Sequence, residues 1–148
     1  MIPVDKKIWM NYIFAGLPMI AVVLAGMGNS VTIYPPAATE AVYCSYFTLV
    51  EDIPGAICLP LAAFGAGVTF GLAVLYLVKR SDLFLKIMMP LSFLSATAAV
   101  VPVLARGEIL VIPNMLVPIL LMAVCLTTYG MLKNPQRDEP KKEGKRLK

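Results

Sequence analysis

Four long runs without a charged residue dominate the hydrophobic pattern of the chain. They cover residues 8–39, 53–78, 87–105 and 109–132. A helix needs about 20 consecutive apolar residues to cross the hydrocarbon core of a bilayer. The first run is longer than that, and glycine and polar residues at 26–30 mark the end of its helix. We predict transmembrane helices near residues 8–28, 55–78, 84–104 and 110–132.

Composition agrees with lipid as the main solvent of this chain. Hydrophobic residues make up 59% and charged residues 15% of the 148 residues, against about 45–50% and about 25% in ordinary soluble domains. A soluble fold of this size buries too small a share of its surface to hide so many apolar side chains. The predicted fold is therefore all-α: a polytopic membrane protein with a four-transmembrane-helix bundle over residues 1–132. The first helix exceeds the apolar length of a signal peptide, so we interpret it as retained.

The charges predict the orientation. Basic residues precede the first predicted helix, separate the second from the third and follow the fourth, whereas only Arg106 lies on the opposite side. Lys and Arg concentrate on the cytoplasmic side of membranes, so both termini are predicted to be cytoplasmic, in the plasma (inner) membrane. Residues 133–148 form a basic, proline-containing tail that we predict to be disordered. Its last four residues resemble a dibasic retrieval signal, which in a eukaryote would favour the endoplasmic reticulum.

The outer segment between the first two helices predicts a short extracytoplasmic helix. Over residues 39–52, Tyr43, Tyr46, Phe47 and Val50 form one stripe at helical spacing. Such a helix would lie in the membrane interface with its stripe in lipid. The alternative is a lid over the mouth of the bundle. We favour the interfacial interpretation.

The same region contains the candidate ligand or mouth residues. Aromatic surface, paired carboxylates and the irregular backbone at Pro54 come together only here, and ligand sites combine an apolar wall with a few polar groups. Asn114, between Pro113 and Pro118 near the outer end of the fourth predicted helix, is a further candidate. The candidates are Tyr43, Tyr46, Phe47, Glu51, Asp52 and Asn114. The alternatives are that the carboxylates mark the water boundary and that Asn114 makes an interhelical hydrogen bond. Cys44 and Cys58 both fall on the outer side and could pair as a disulfide.

The second helix contains the candidate helix-packing residues. Ala63, Gly67 and Gly71 recur every four residues, and the two glycines form a G-x-x-x-G pair. Small residues allow close approach of helix backbones in a membrane. We expect this face to pack inside the same bundle, and the alternative is a homo-oligomer contact. The small residues that could face it are Ala21 and Ala25 on the first helix and Ser95 and Ala99 on the third.

Reactive groups are few. The chain has no histidine and no C-x-x-C spacing, so the commonest metal ligand and general base is missing. No Asp, Glu, Lys, Arg or His lies deep inside a predicted span, where one would mark a transport path. Basic residues are concentrated in the tail rather than over a folded face, which argues against nucleic acid. We expect no cofactor and no metal.

Three functions remain open. The first is a non-enzymatic accessory or interaction module of a larger membrane assembly. The alternative is an oligomeric small-solute transporter or channel, because prolines near the start of each predicted helix suggest two similar hairpins. The third is an enzyme or binding protein for a lipid-soluble ligand. The expected partners are the lipid bilayer and either further copies of the chain or a larger complex.

Overall fold

The computed structural model describes residues 6–33, 40, 42–48, 57–106 and 112–133. The helices are α1 (Lys6–Gly26), α2 (Cys58–Lys79), α3 (Asp82–Arg106) and α4 (Ile112–Lys133), and the strands are β1 (Val31–Ile33) and β2 (Val42–Cys44). Each helix is long and apolar enough to cross a membrane. The prediction of four such helices is confirmed, and every helix end lies within three residues of its predicted position. Of the predicted tail, Lys133 is the last residue of α4, and residues 134–148 lie outside the described residues.

The helices pack in the cyclic order α1, α2, α3, α4, with α4 also against α1. Neighbours are antiparallel. Asn11, near the start of α1, contacts Arg80 at the end of α2, and Val22, near the end of α1, lies beside Ala63 near the start of α2. The starts of α1 and α3 therefore share one end of the molecule with the ends of α2 and α4.

The core has two halves with different side chains. One half is built mainly from alanines, among them Ala21, Ala25, Ala62 and Ala66, and it includes the region of the two strands. The other half contains larger side chains, with Phe14, Leu85, Met88 and Val124. Alanine allows helix axes to approach closely, whereas bulky side chains must fill a wider space between them.

A left-handed residue separates α2 from α3. Arg80 has φ 52° and ψ 34°, and its N–H donates to the carbonyl oxygen of Tyr76 at 2.8 Å. Such a residue after the last helical turn satisfies a carbonyl that has no helical partner. Asp82 then opens α3, where a negative charge complements the positive end of the helix dipole.

The prediction of a short outer helix is wrong over the described part of that segment. Residues 42–44 form β2, which pairs antiparallel with β1 in the register Val31↔Cys44, and residues 46–47 lie in a turn. Val42 and Tyr43 are of the β-branched and aromatic types that favour strands, and β1 supplies three β-branched residues as a partner. Pairing satisfies backbone groups that would otherwise be buried without hydrogen bonds.

Candidate functional site

Asn114 connects the first turn of α4 to the two-stranded sheet. Its Oδ1 accepts a hydrogen bond from the Thr32 N–H at 2.8 Å, and its Nδ2 donates to the Thr32 carbonyl oxygen at 3.0 Å. Both residues are buried. The carboxamide carries one acceptor and donors on the same planar group, so it pairs with Thr32 much as the backbone of a neighbouring strand would. The predicted hydrogen bond of Asn114 exists, but its partner is strand backbone rather than another helix.

Both faces of the sheet are covered at β1, where Val31 and Thr32 are each buried. Because the N–H and carbonyl of Thr32 point to Asn114, Thr32 and its partner Tyr43 form a pair without mutual backbone hydrogen bonds. Val31 and Cys44, one position along, are buried in the alanine-rich core. The Thr32 hydroxyl is also buried, and within the described part of the chain it has no hydrogen-bond partner.

A second tie attaches the turn after β2 to the end of α1. The Tyr46 N–H donates to the Ala25 carbonyl oxygen at 3.1 Å, and the Ser30 hydroxyl donates to the Met27 carbonyl oxygen at 2.8 Å. The last carbonyls of a helix lack partners within it, so the Tyr46 contact completes α1, whereas the Ser30 contact closes the turn that follows the helix. Burial raises the pKa of the Tyr46 phenol and of the Cys44 thiol above their ordinary values. Both groups are neutral parts of the core at pH 7.

The aromatic candidates do not converge on one surface. Tyr43 is 64% exposed, Tyr46 is 1% exposed, and Phe47 is 56% exposed. Glu51 and Asp52 lie outside the described residues. The structure therefore brings Asn114 to Thr32 and Tyr46 to Ala25, and it separates the three aromatic rings that the helical stripe would have aligned. Thr32 was missed, although the run of β-branched residues around it is a strand signal.

An apolar groove lies between α1, α2 and the turn after β2. It has a volume of about 330 Å³, is open along one side, and is lined by Val22, Phe47, Ala63, Phe64, Gly67 and Val68. Ala63 is buried. Among the described residues, no atom of another element lies within 4 Å of a Cβ placed on Gly67 or Gly71. Within the described part of the chain, neither glycine is therefore packed against another helix of the bundle.

The close approach of two helices occurs instead at Gly65. A Cβ on Gly65 would overlap Ser95 Oγ and lie 3.0 Å from Ser95 Cβ. The Ser95 hydroxyl donates to the Leu91 carbonyl oxygen at 2.8 Å, and the Thr69 hydroxyl donates to the Gly65 carbonyl oxygen at 2.7 Å. Ala21, Ala25, Ser95 and Ala99, the small residues that could face the glycine pair, are all buried, and Ser95 meets Gly65 rather than Gly67 or Gly71. In the sequence, the signal for Gly65 was the series of small residues Ala62, Ala66, Thr69 and Ala73 on the same face of α2. All four are buried.

The reactive side chains are dispersed. Cys44, Cys58 and Cys125 are free thiols, so the disulfide considered for the first two is not formed in this structure. The described residues contain no group of three His, Cys, Asp or Glu side chains that could hold a metal ion. Comparison of the chain with protein-family models, with curated proteins and with solved structures finds no match.

Proposed function

We propose that this chain is a multi-pass integral membrane protein that serves as a non-enzymatic interaction module of a larger membrane assembly. Insertion is supported by the four candidate spans and by large apolar side chains exposed on every helix, such as Val23, Phe64, Leu94 and Leu126. Contiguous exposed apolar surface of this extent is rare on soluble monomers. In a bilayer the same side chains contact lipid.

The orientation proposed is with both termini in the cytoplasm of a plasma (inner) membrane. Lys79, Arg80, Lys86 and Lys133 all lie at the end of the molecule where α1 begins and α4 ends. Cytoplasmic loops and tails carry the excess of Lys and Arg. The opposite end, with the sheet, then faces outward.

The proposed interaction role rests on Gly67 and Gly71. Gly67 and Gly71 leave free space on α2 beside the groove, and the groove is apolar throughout. In lipid the hydrophobic effect does not drive helices together, so association depends on close packing, which outward small residues permit. A transmembrane helix of another subunit fits this surface better than a lipid chain, because it presents a continuous ridge of side chains.

Native mass measurement in lipid nanodiscs tests this role. Gly67→Leu should fill the groove and release the partner, because a leucine would keep the second backbone away. Gly130→Leu is the matched control: it introduces the same side chain at a helical glycine of α4 that also has nothing within 4 Å. The wild-type and Gly130→Leu proteins should therefore retain the partner.

Two results would change the proposal. A wild-type chain that remains monomeric and without partners when extracted in native lipid would contradict an interaction module. A closed homo-oligomer that Gly67→Leu disrupts would instead favour the oligomeric transporter.

A further inference from the structure

The guanidinium of Arg80 is held in place at the basic end of the molecule. Its Nη1 donates to Asn11 Oδ1 at 3.3 Å, and its Cζ lies 5.8 Å from the centroid of the Tyr76 ring. Tyr76 in turn makes an edge-to-face contact with Phe14, with ring centroids 5.5 Å apart. Asn11 of α1 and Tyr76 of α2 therefore position the guanidinium at the end of α2.

Within the described part of the chain, most of the hydrogen-bonding capacity of this guanidinium is without a partner. The group carries several N–H donors in a planar fork, and Asn11 accepts a bond from only one nitrogen. Asn11 and Tyr76 are both neutral, so neither compensates the charge. A guanidinium is planar and weakly hydrated, and once positioned its N–H groups match the oxygens of a phosphate better than the ammonium group of a lysine does.

The surroundings indicate where that phosphate would come from. Trp9 and Tyr12 are exposed on the first turns of α1, close to Asn11 along the helix. Trp and Tyr prefer the depth of the lipid headgroups. Lys79 precedes Arg80 and is also exposed, and basic residues near the cytoplasmic surface attract anionic lipid.

We infer that Arg80 binds the headgroup phosphate of an anionic phospholipid in the cytoplasmic leaflet, with Asn11 and Tyr76 positioning its guanidinium. This inference rests on the membrane insertion and orientation proposed above. It requires no contact at the groove on α2.

Trp9 provides the measurement, because it is the only tryptophan of the chain. The purified protein is reconstituted into phosphatidylcholine vesicles that contain brominated phosphatidylglycerol or, in parallel, brominated phosphatidylcholine. At equal mole fractions the brominated phosphatidylglycerol should quench Trp9 fluorescence more strongly, which gives the relative affinity of the site for the anionic lipid.

The variants distinguish binding by a positioned guanidinium from attraction by positive charge alone. Arg80→Gln should weaken the preference for phosphatidylglycerol about fivefold, whereas Lys79→Gln, with the same loss of charge next to it, should retain most of it. Asn11→Ala keeps every charge but removes the contact that holds the guanidinium, and it should give an intermediate preference. Arg80→Lys should not restore the wild-type value, since a lysine cannot form the bidentate contact.

Each other outcome has a defined meaning. If Arg80→Gln and Lys79→Gln lower the preference for phosphatidylglycerol equally, or if Asn11→Ala leaves it unchanged, the preference comes from positive charge in general. Either result would overturn the inference. Displacement of phosphatidylglycerol by excess sodium phosphate would also overturn it, by identifying a site for soluble phosphate. Equal quenching by both lipids overturns the lipid site but leaves insertion intact. Absence of quenching by either lipid would contradict insertion itself.

Discussion

The two ends of the molecule differ in the burial and hydrogen bonding of their polar groups. At the sheet end, Asn114 and the backbone N–H and carbonyl of Thr32 are buried and hydrogen-bonded to one another, and the Tyr46 N–H completes the last turn of α1. At the basic end, Arg80 is exposed, and among the described residues only Asn11 accepts a hydrogen bond from its guanidinium. A buried polar group is costly unless it is paired, so the sheet end is a closed structural unit. In the orientation proposed above, the exposed charge at the basic end would meet lipid headgroups.

Packing follows the same division. The half of the core next to the sheet is built on alanines and on the contact between Gly65 and Ser95. The half next to Arg80 uses Phe14, Leu85 and Met88. Short side chains bring backbones close and leave little tolerance for added volume, whereas flexible residues such as methionine adapt to irregular gaps. We therefore expect substitutions to be felt more strongly in the half next to the sheet.

Replacing the asparagine at each end should give the largest contrast. Asn114→Ala leaves the N–H and carbonyl of Thr32 buried without partners, which should lower the free energy of unfolding by about 2–5 kcal/mol. Asn11→Ala removes an exposed contact and should change it by about 0.5 kcal/mol or less. Thermal unfolding in detergent, followed by circular dichroism, compares the two. Similar losses in both variants would show that the ends do not differ as described.

Sequence reasoning located the helices because length and apolarity alone decide which segments can span a bilayer. It could not locate the sheet. The stripe of Tyr43, Tyr46 and Phe47 also fits a helix, and β1 is hidden inside the first apolar run. The contact between Thr32 and Asn114 joins residues 82 positions apart, and no local pattern predicts such a pair.

The choice between two glycine faces was also beyond local sequence. The G-x-x-x-G spacing of Gly67 and Gly71 identified a surface that permits close packing, but a spacing motif does not state which neighbour occupies it. The structure places Ser95 against Gly65, which precedes Gly67 by two residues. Among the described residues, no other element packs against the two glycines of the motif. Arg80 was recognised only as a topological charge, because its contact with Asn11 links two helices.

A methyl group added to Gly65 should give the next largest effect. Gly65→Ala places a Cβ against Ser95 Oγ and Cβ, and overpacking of this kind should destabilise the fold by about 1–3 kcal/mol. Gly130→Ala, on α4 near the basic end, should be neutral or stabilising by up to about 1 kcal/mol, because alanine favours a helix. Unfolding in detergent measures both variants.

The double variant Gly65→Ala with Ser95→Gly provides the internal control. It removes the side chain that the new methyl group meets, so it should recover part of the lost stability if the clash is the cause. Equal stability of Gly65→Ala and the wild type would show that α2 and α3 are not as close at this level as the structure has them.

The smallest expected effect concerns the three thiols, which differ in rate rather than in stability. Cys44 is buried on β2, and burial raises the pKa of its thiol. Reaction requires the thiolate, so at pH 8 Cys44 should react with a thiol reagent more slowly than Cys58, which is only partly buried. Its rate should continue to rise with pH above the ordinary cysteine pKa of about 8.5.

Asn114→Ala should accelerate the labelling of Cys44, because the sheet is then released from α4, and it should leave Cys125 unaffected. Mass spectrometry after timed labelling identifies each thiol. If Cys44 and Cys58 both become reactive only after reduction, they are joined by a disulfide in the outer compartment, and the sheet is then attached covalently to the start of α2. Rapid labelling of Cys44 in the folded wild-type protein would instead show that the sheet is open, which would remove the contrast between the two ends.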